Sequence, residues 1–486
     1  MGATVRHVDS VRSAHPRNFH HFPKTPHRRH RHQRPEVITG CSNPNHPPPR
    51  TMENEMSSTV TRRSFLGFGL GAAAAFGVAG CAGFSPQGSK PSGKLEVGIW
   101  GGADRAKLYQ SAINLYTKRN ADVQATLQFA DSAPYFERLT TSAAAGNLPD
   151  VFWMTDTNIA RYADAGALMD LNKYIGGSIK KDGIGDAGVD AGRNPKGVFG
   201  LPTHFNSQAI LTDNDALAAK GVSFSQVKTW DDLAAAAKQM TNSAEGYYGL
   251  LDPTLGTNHR SFEAWVRQSG AELFTDEGKL GFDAAVLGDW FAYWAKMRKE
   301  GTIPPATTQT ESDSAGWTSD LLVKSKAAIR VASASHLGVV KGLRQGNIGL
   351  NSYPVRADAS KDWWFFTPIL VCVSAKTGNT DAAADMVNFF INDKEAASHT
   401  QISMGTPAVP DVAKSLIPNL KEDQVLVVNQ ILREMEHPRR RVPLKPEGSD
   451  KLNSALTRIG QEVAFEKTSV SNGASAVIAD SAQYLK

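Results

Sequence analysis

The stretch that decides the fold begins with "KLEVGIW" at residues 94–100. Leu95, Val97 and Ile99 alternate there with other residues, which places them on one face of a predicted β-strand. In the next four elements the spacing of apolar residues alternates between that of a helix and that of a strand. They are a helix in "DRAKLYQSAINLYTKRN" (104–120), a strand in "VQATLQFAD" (123–131), a helix in "YFERLTTSAAAG" (135–146) and a strand in "DVFWMTD" (150–156). Strands that alternate with helices predict an α/β fold with a largely parallel sheet.

The helices carry more specific signals. Leu108, Ala112 and Leu115/Tyr116 share one face of the first helix, and Gly146 suits the position that ends the second. After residue 215 the pattern turns mostly helical, and the helix in "TWDDLAAAAKQM" (229–240) begins with an N-cap threonine and an aspartate three residues later. We expect five tryptophans to lie in the core: Trp153, Trp230, Trp265, Trp290 and Trp294.

Charge is distributed unevenly along the 486 residues. Residues 1–80 hold eleven Lys/Arg and four Asp/Glu, which leaves 42 basic and 44 acidic residues for 81–486. The body is therefore nearly neutral and predicts no nucleic-acid partner. Residues 1–51 contain eight of the thirteen histidines. They are interpreted as a disordered or mispredicted extension, with a metal-binding tract as the alternative.

The segment "TRRSFLGFGLGAAAAFGVAGC" at residues 61–81 has the layout of an export signal. Arg62 and Arg63 precede a short apolar run, which is too short for a membrane span. "TRRSFL" resembles a twin-arginine signal, and "VAGC" resembles a lipobox whose cysteine, Cys81, is lipidated. We expect residues 52–81 to be this signal, and we expect the protein to be lipid-anchored outside the cytoplasm.

The residues after the signal fit an anchored protein. The polar segment 82–94 is rich in Gly, Ser and Pro and predicts a flexible tether. Cys372 lies in an apolar, strand-like run and is expected to be a small buried side chain. Because Cys81 would carry lipid, no disulfide is predicted in the body.

Several motifs occur in a specific order along the body. They are "AAGNLPDVFWM" (144–154), "GALMDLNKYI" (166–175), "GVFGLPTHFNSQAILTDND" (197–215), "TWDDLAAAAKQMT" (229–241), "VKSKAAIRV" (323–331), "VSAKTGNTDAAADMVNFFIND" (373–393) and "ISMGTPAV" (402–409). In this order they resemble the extracellular solute-binding proteins of family 1, the lipoprotein receptors of ABC importers for sugars.

The resemblance implies a two-lobed α/β fold of the type II periplasmic-binding-protein class, with ligand held in the cleft between the lobes. It divides the chain into lobe one (95–204 and 363–410) and lobe two (205–362 and 411–486). It also implies ABC permease subunits as partners. We further expect a monomer without cofactor or metal. The chain departs from the family pattern at "LTDNDAL" (211–217) and at "KDWWFFTP" (361–368).

Sugar rings have apolar faces and a rim of hydroxyl groups, so aromatic and short polar side chains at strand ends are candidate ligand contacts. Trp100 follows the first strand, and Asp156 follows the strand at 150–155. The alternative role for Asp156 is an N-cap of the next helix. His204 and Asn206 lie at the first predicted passage between lobes, although a lone histidine is more often structural.

Three further tryptophans are candidate ligand contacts. Trp363 and Trp364 are adjacent on a predicted strand, which would point them to opposite faces and place one of them in the cleft. Trp317 lies in the loop-like "SAGWTSD" (314–320) and could cover the cleft.

The sequence favours a binding protein over an enzyme. It lacks the H-E-x-x-H and G-x-S-x-G motifs and any paired Cys/His spacing for a metal. Two alternatives stay open: the same fold binding a polyamine, a metal chelate or another small solute, and a secreted glycosidase that uses a pair of carboxylates.

Overall fold

The computed structural model describes residues 93–256 and 259–485. The predictions for residues 1–92, including Arg62, Arg63 and Cys81, lie outside this range. The strands are β1 Gly93–Trp100, β2 Val123–Ala130, β3 Val151–Thr155, β4 Arg193–Asn194, β5 Gly197–Val198, β6 Leu201–Asn206, β7 Gln208–Asp213, β8 Tyr248–Leu251, β9 Ala327–Ser333, β10 Ile348–Asn351, β11 Thr367–Val373 and β12 Thr406–Pro407.

Sixteen helices are formed by the described residues. They are α1 Ala103–Arg119, α2 Ser132–Ala145, α3 Ile159–Asp164, α4 Gly185–Val189, α5 Asn214–Ala219, α6 Trp230–Met240, α7 Arg260–Gln268, α8 Ala284–Lys299, α9 Ala306–Ser314, α10 His336–Leu343, α11 Thr380–Asn392, α12 Lys394–Thr400, α13 Pro410–Leu416, α14 Glu422–Met435, α15 Ser449–Ala464 and α16 Val470–Ala482. Within the described ranges, no helix is both long and apolar enough to cross a membrane.

The first lobe is built on a six-stranded sheet with the order β12-β6-β11-β3-β1-β2. β1 pairs in parallel with β2 and β3, as the alternating pattern predicts. β11 pairs antiparallel with both β3 and β6, and β12 pairs antiparallel with β6. Three of the five ladders in this sheet are therefore antiparallel, and the prediction of a largely parallel sheet holds only for the ladders among β1, β2 and β3, because the other strands come from later segments rather than from strand–helix–strand units.

The second lobe is built on a four-stranded sheet with the order β10-β7-β9-β8. β6 ends at Asn206 and β7 begins at Gln208, so the chain passes from one sheet to the other through the single residue Ser207. The chain returns to the first sheet where β11 begins, at Thr367. The predicted passages lie at 204–205 and 362–363, and the exact lobe boundaries stay a prediction.

The core consists of two large apolar clusters that meet at the second sheet. Side chains of β7 alternate between them: Ala209 and Leu211 belong to the cluster shared with the first lobe, and Ile210 belongs to the other. The second cluster contains four of the five tryptophans predicted to be buried, and Trp230 contacts Trp265, Trp290 and Trp294 in T-shaped geometry.

The burial predictions hold for most of these side chains. All five tryptophans are buried, and Cys372 is a free, buried thiol. In α1, Ala112 and Tyr116 are buried as predicted, but Leu108 and Leu115 are only half-buried. The buried face of α1 instead includes Tyr109 and Ile113, which have the same helical spacing one residue further along.

Local capping signals also hold. Thr229 accepts a hydrogen bond from the Asp232 amide, while the Asp232 side chain accepts one from the Thr229 amide, which completes the predicted capping box of α6. Gly146 ends α2 in the left-handed conformation with a φ of 71°. α6 then packs on β8 so closely that a side chain at Gly249 would overlap the carbonyl oxygen of Ala237.

We predict that Gly249→Ala lowers the free energy of unfolding by about 3 kcal/mol, because the Ala237 carbonyl belongs to a helix backbone that cannot rotate away. Gly288→Ala is the matched control, since that glycine lies within α8 with open space around its Cα. It should raise stability by up to about 1 kcal/mol, because alanine is the better helix former. Urea unfolding measures both, and equal effects would contradict this packing.

Candidate ligand-binding site

The ladder between β6 and β11 separates two cavities. Phe205 pairs with Pro368 in this ladder, and these two side chains line a cavity on one face. Asn206 and Ile369 point to the opposite face, because successive strand residues alternate, and they line a different cavity. Since β6 continues into β7, both cavities lie where the chain passes between the lobes.

The larger of the two, which we call the Trp100 cavity, has a volume of about 450 Å³. Trp100 lies at the end of β1, as predicted, and its ring packs against Tyr135 and Phe136 with ring centroids 5.9 and 5.4 Å away. Ser335 and Gly338 line the cavity from the second lobe. Walls from both lobes therefore enclose it.

Arg105 and Asn206 order the loops around the Trp100 cavity. Arg105 donates one hydrogen bond to the Trp100 carbonyl (3.1 Å) and another to the Ser403 carbonyl (2.8 Å). The Asn206 amide donates to the Met404 carbonyl at 3.1 Å. Gly101 has a φ of 130°, and a side chain there would overlap Arg105, so glycine lets the guanidinium fold back over the strand end.

A third cavity, of about 200 Å³, is lined by Trp317, and we call it the Trp317 cavity. The Arg330 guanidinium lies 4.9 Å from the Trp317 ring centroid, and the His336 ring lies 4.6 Å from it. Burial, with the Arg330 charge nearby, lowers the pKa of His336 to about 4. Ser335 lines the Trp100 cavity and the adjacent His336 lines this one, so the two cavities adjoin at the start of α10.

Trp363 and Trp364 do not point to opposite faces, which corrects the geometry predicted for them, although one ring is buried and the other lines a cavity. Their rings stack with centroids 4.3 Å apart, and the Trp364 ring also stacks on His437 at 4.4 Å. Trp363 is buried in the second lobe, and Trp364 lines the cavity on the Phe205 face, which we call the Trp364 cavity. The strand alternation fails here because β11 begins only at Thr367.

Asp156 is buried in an ion-pair network between the lobes. Arg260 of α7 donates to both of its carboxylate oxygens, at 2.7 and 2.9 Å, and the Lys445 ammonium lies 3.6 Å away. Glu263, which is also buried, accepts from Arg260 and Lys445 at 2.9 and 3.2 Å. Asp156 is therefore not an N-cap, and α3 begins after Asn158.

The charges around Asp156 control its titration. Burial alone would raise the pKa of this carboxyl, but the positive charges of Arg260 and Lys445 outweigh burial and hold the pKa at about 2. Its side chain is accordingly an ion-pair partner across the lobe interface. Ligand contact by Asp156 stays a prediction, and a contact would compete with two buried cations.

His204 is buried within the first sheet. Its Nδ1 atom lies 2.9 Å from the Thr203 hydroxyl oxygen, and burial lowers its pKa to about 4. It shares the face of Asn206 but does not line the Trp100, Trp317 or Trp364 cavity. The surroundings of His204 therefore support a structural role, which is the usual one for a lone histidine.

The structure thus distributes the predicted contacts over three cavities. Trp100 and Asn206 share one, Trp317 lies in the adjoining one, and Asp156 and Trp364 line the third. Arg105, Ser335 and His336 were not among the predicted contacts. Ser335 and His336 are polar residues that closely follow β9 and could have been predicted on that ground, whereas Arg105 lies in the first turn of α1, beyond the end of β1.

A two-lobed α/β molecule with cavities between its lobes has the architecture of a ligand-binding receptor. The family of bacterial extracellular solute-binding proteins matches residues 111–425, more than half of the chain, and the chain belongs to this family. The predicted family and the predicted two-lobed α/β fold are both confirmed.

Known proteins of the same kind resemble this chain over most of its length. A maltotriose-binding protein from Pyrococcus abyssi is 21% identical over 341 residues, which cover 69% of this chain and 70% of that protein. A galactooligosaccharide-binding protein from Bacillus subtilis is 22% identical over 361 residues, 71% of this chain and 80% of that protein. The family and both relatives are binding proteins rather than enzymes.

Solved structures show the same fold. A family 1 extracellular solute-binding protein from Alicyclobacillus acidocaldarius superposes with a TM-score of 0.69 at 23% identity, covering 81% of this chain and 99% of that one. A periplasmic oligogalacturonide-binding protein from Yersinia enterocolitica superposes with a TM-score of 0.67 at 17% identity, covering 78% and 96%.

We predict that Asp156→Asn lowers the free energy of unfolding at pH 7 by about 3 kcal/mol, because it leaves buried positive charge without its partner. Asp164→Asn is the control: its ion pair with Lys196 is more than half exposed and should contribute less than about 1 kcal/mol. Urea unfolding at pH 7 measures both changes.

The same carboxylate predicts an acid dependence of stability. Because the folded-state pKa of Asp156 is depressed to about 2, its contribution is fully present above the usual pKa of 3.8 and is lost as the pH falls between these values. Unfolding free energies measured from pH 5 to pH 2 should fall less steeply in Asp156→Asn than in the wild type. Parallel pH profiles would contradict the ion-pair role.

Proposed function

We propose that this protein is the extracytoplasmic receptor of an ABC importer, and that it captures a sugar or an oligosaccharide in the Trp100 cavity. The observation that carries this proposal is a cavity between the lobes that combines an aromatic ring with polar side chains. Its volume of about 450 Å³ lies within the range of small-molecule sites. The names of the two curated relatives support a sugar as the ligand class.

The polar groups of the Trp100 cavity suit a neutral ligand with many hydroxyl groups. Arg105 and Asp423 place one charge of each sign in its wall, and Asn206, Ser335 and Gln424 add uncharged donors and acceptors. The apolar face of a sugar ring would pack on Trp100. A polyamine would instead need several carboxylates, and an anion would need an excess of cations.

The adjoining Trp317 cavity extends this site into the second lobe. It offers a second aromatic ring, together with Asp313, Arg330 and His336, to a further sugar unit. Because a ligand in both cavities would contact both lobes, it would bind the closed arrangement better than an open one and would shift the population toward closure. The closed receptor would then deliver the ligand to the permease.

We predict that Trp100→Ala weakens sugar binding by about 10- to 100-fold, since an aromatic anchor contributes about 2 kcal/mol or more. Trp100→Phe should retain part of the affinity, and Phe465→Ala, at an exposed position on α15's end, should leave it unchanged. Calorimetry with maltotriose and with galactooligosaccharides measures these affinities. If a polyamine or a metal chelate bound and none of these sugars did, the proposed ligand class would be wrong.

We also propose that Cys81 anchors the receptor to the outer face of the cytoplasmic membrane through lipid, after twin-arginine export. The "VAGC" ending of the signal and the polar segment that follows it support this placement, and Gly93 and Lys94, predicted as the end of the tether, belong to β1 instead. Two acyl chains on one cysteine would give stable anchoring where a single chain would not.

Fractionation of cells tests the anchor. Cys81→Ser should move the protein from the membrane to the soluble fraction, while Cys372→Ala, which removes the buried thiol, should leave it on the membrane. Replacing both Arg62 and Arg63 by lysine should keep the unprocessed chain in the cytoplasm. Membrane association of Cys81→Ser would contradict lipid anchoring.

A further inference from the structure

The Trp364 cavity differs chemically from the sugar site proposed above. Its volume is about 220 Å³, and most of its wall is apolar, including Phe205, Pro368 and Leu444. Trp363 and His437 cover both faces of the Trp364 ring, so this ring offers only its edge. The polar side chains in its wall are those of Asp156, Asp190, Arg439, Arg440 and Arg441, and all but Arg439 form ion pairs with other residues, so few groups remain to bind sugar hydroxyls.

Two arginines in the wall have guanidinium donors to spare. Arg439 is half-buried and donates to the Met435 carbonyl at 3.0 Å, with its guanidinium 5.2 Å from the Phe366 ring. No carboxylate of the described residues pairs with it. Arg441 pairs with Asp276 through Nη2, but its Nη1 atom is buried without a hydrogen-bond partner among the described residues.

The carboxylates of the same wall are already neutralised. Asp156 is held by Arg260 and Lys445, and Asp190 accepts from Arg193 at 2.7 Å. Arg440 is likewise occupied, by Glu272 and Asp362. The cavity therefore keeps the positive charge of Arg439 uncompensated, and burial lowers the pKa of Arg439 without any acidic neighbour to oppose it. A guanidinium in such surroundings is costly unless an anion meets it.

We propose that the Trp364 cavity is a second ligand site, which takes a small monocarboxylate with an apolar body. The planar guanidinium of Arg439 matches a carboxylate with two parallel hydrogen bonds. The apolar wall accommodates the rest of the molecule. Since the cavity lies on the opposite face of the β6–β11 ladder from the Trp100 cavity, the site does not depend on the proposed sugar function.

Benzoate and benzamide are suitable probes, because they share a ring and differ in charge. Calorimetric titration of the purified protein should show saturable binding of benzoate and at least about 10-fold weaker binding of benzamide. Arg439→Gln should weaken benzoate binding by about 10- to 100-fold. Arg439→Lys keeps the positive charge but loses the planar pair of donors, so it should give an intermediate affinity. This variant also separates loss of the ligand contact from a folding defect in Arg439→Gln.

Arg138→Gln is the matched control, since Arg138 is exposed and also donates to one backbone carbonyl. It should bind benzoate as the wild type does. Benzoate should also bind with unchanged stoichiometry when maltotriose or a galactooligosaccharide that binds the protein is present in excess. Equal binding of benzamide, unchanged binding in Arg439→Gln, displacement by the sugar, or absence of saturable binding would each overturn the proposal.

Discussion

The β6–β11 ladder is the constraint on which the rest of the molecule depends. It belongs to the first sheet, yet β6 runs through Ser207 directly into β7 of the second, so both lobes are fixed to one pair of strands. The register that pairs Phe205 with Pro368 decides which side chains reach each face. A shift of one residue would exchange the linings of the Trp100 and Trp364 cavities.

The two cavities also differ in the charge of their walls. In the Trp100 cavity, Arg105 and Asp423 balance each other within one wall. In the Trp364 cavity, the acidic side chains are paired with cations that do not line the cavity, and Arg439 is left uncompensated. A buried charge needs a partner in a medium of low dielectric constant, so the two faces of one ladder favour ligands of different charge.

Features that depend on neighbours in the sequence could be predicted from it. The capping box at Thr229, the helix end at Gly146 and the buried tryptophans all follow from local spacing. The antiparallel pairing of β11 and the partners of Asp156 could not be predicted, because the contacting residues are far apart in the chain. The opposite-face geometry predicted for Trp363 and Trp364 was wrong for a related reason: it assumed strand geometry for residues that precede β11. The two-lobed architecture was predicted from the family resemblance, because the periodicity of apolar residues does not show how the elements divide into lobes.

The position of β11 within the first sheet also bears on how the chain is made. β11 lies between β6 and β3, although it is synthesised long after both, and β12 completes the edge later still. When β6 has been synthesised, the first sheet therefore still lacks the strand that joins β6 to β3. The sheet of the first lobe cannot be completed until residue 407 has emerged from the ribosome, and by then all strands of the second sheet have been synthesised. The two halves must mature together, late in synthesis, and a truncated chain would expose unpaired strand edges to aggregation.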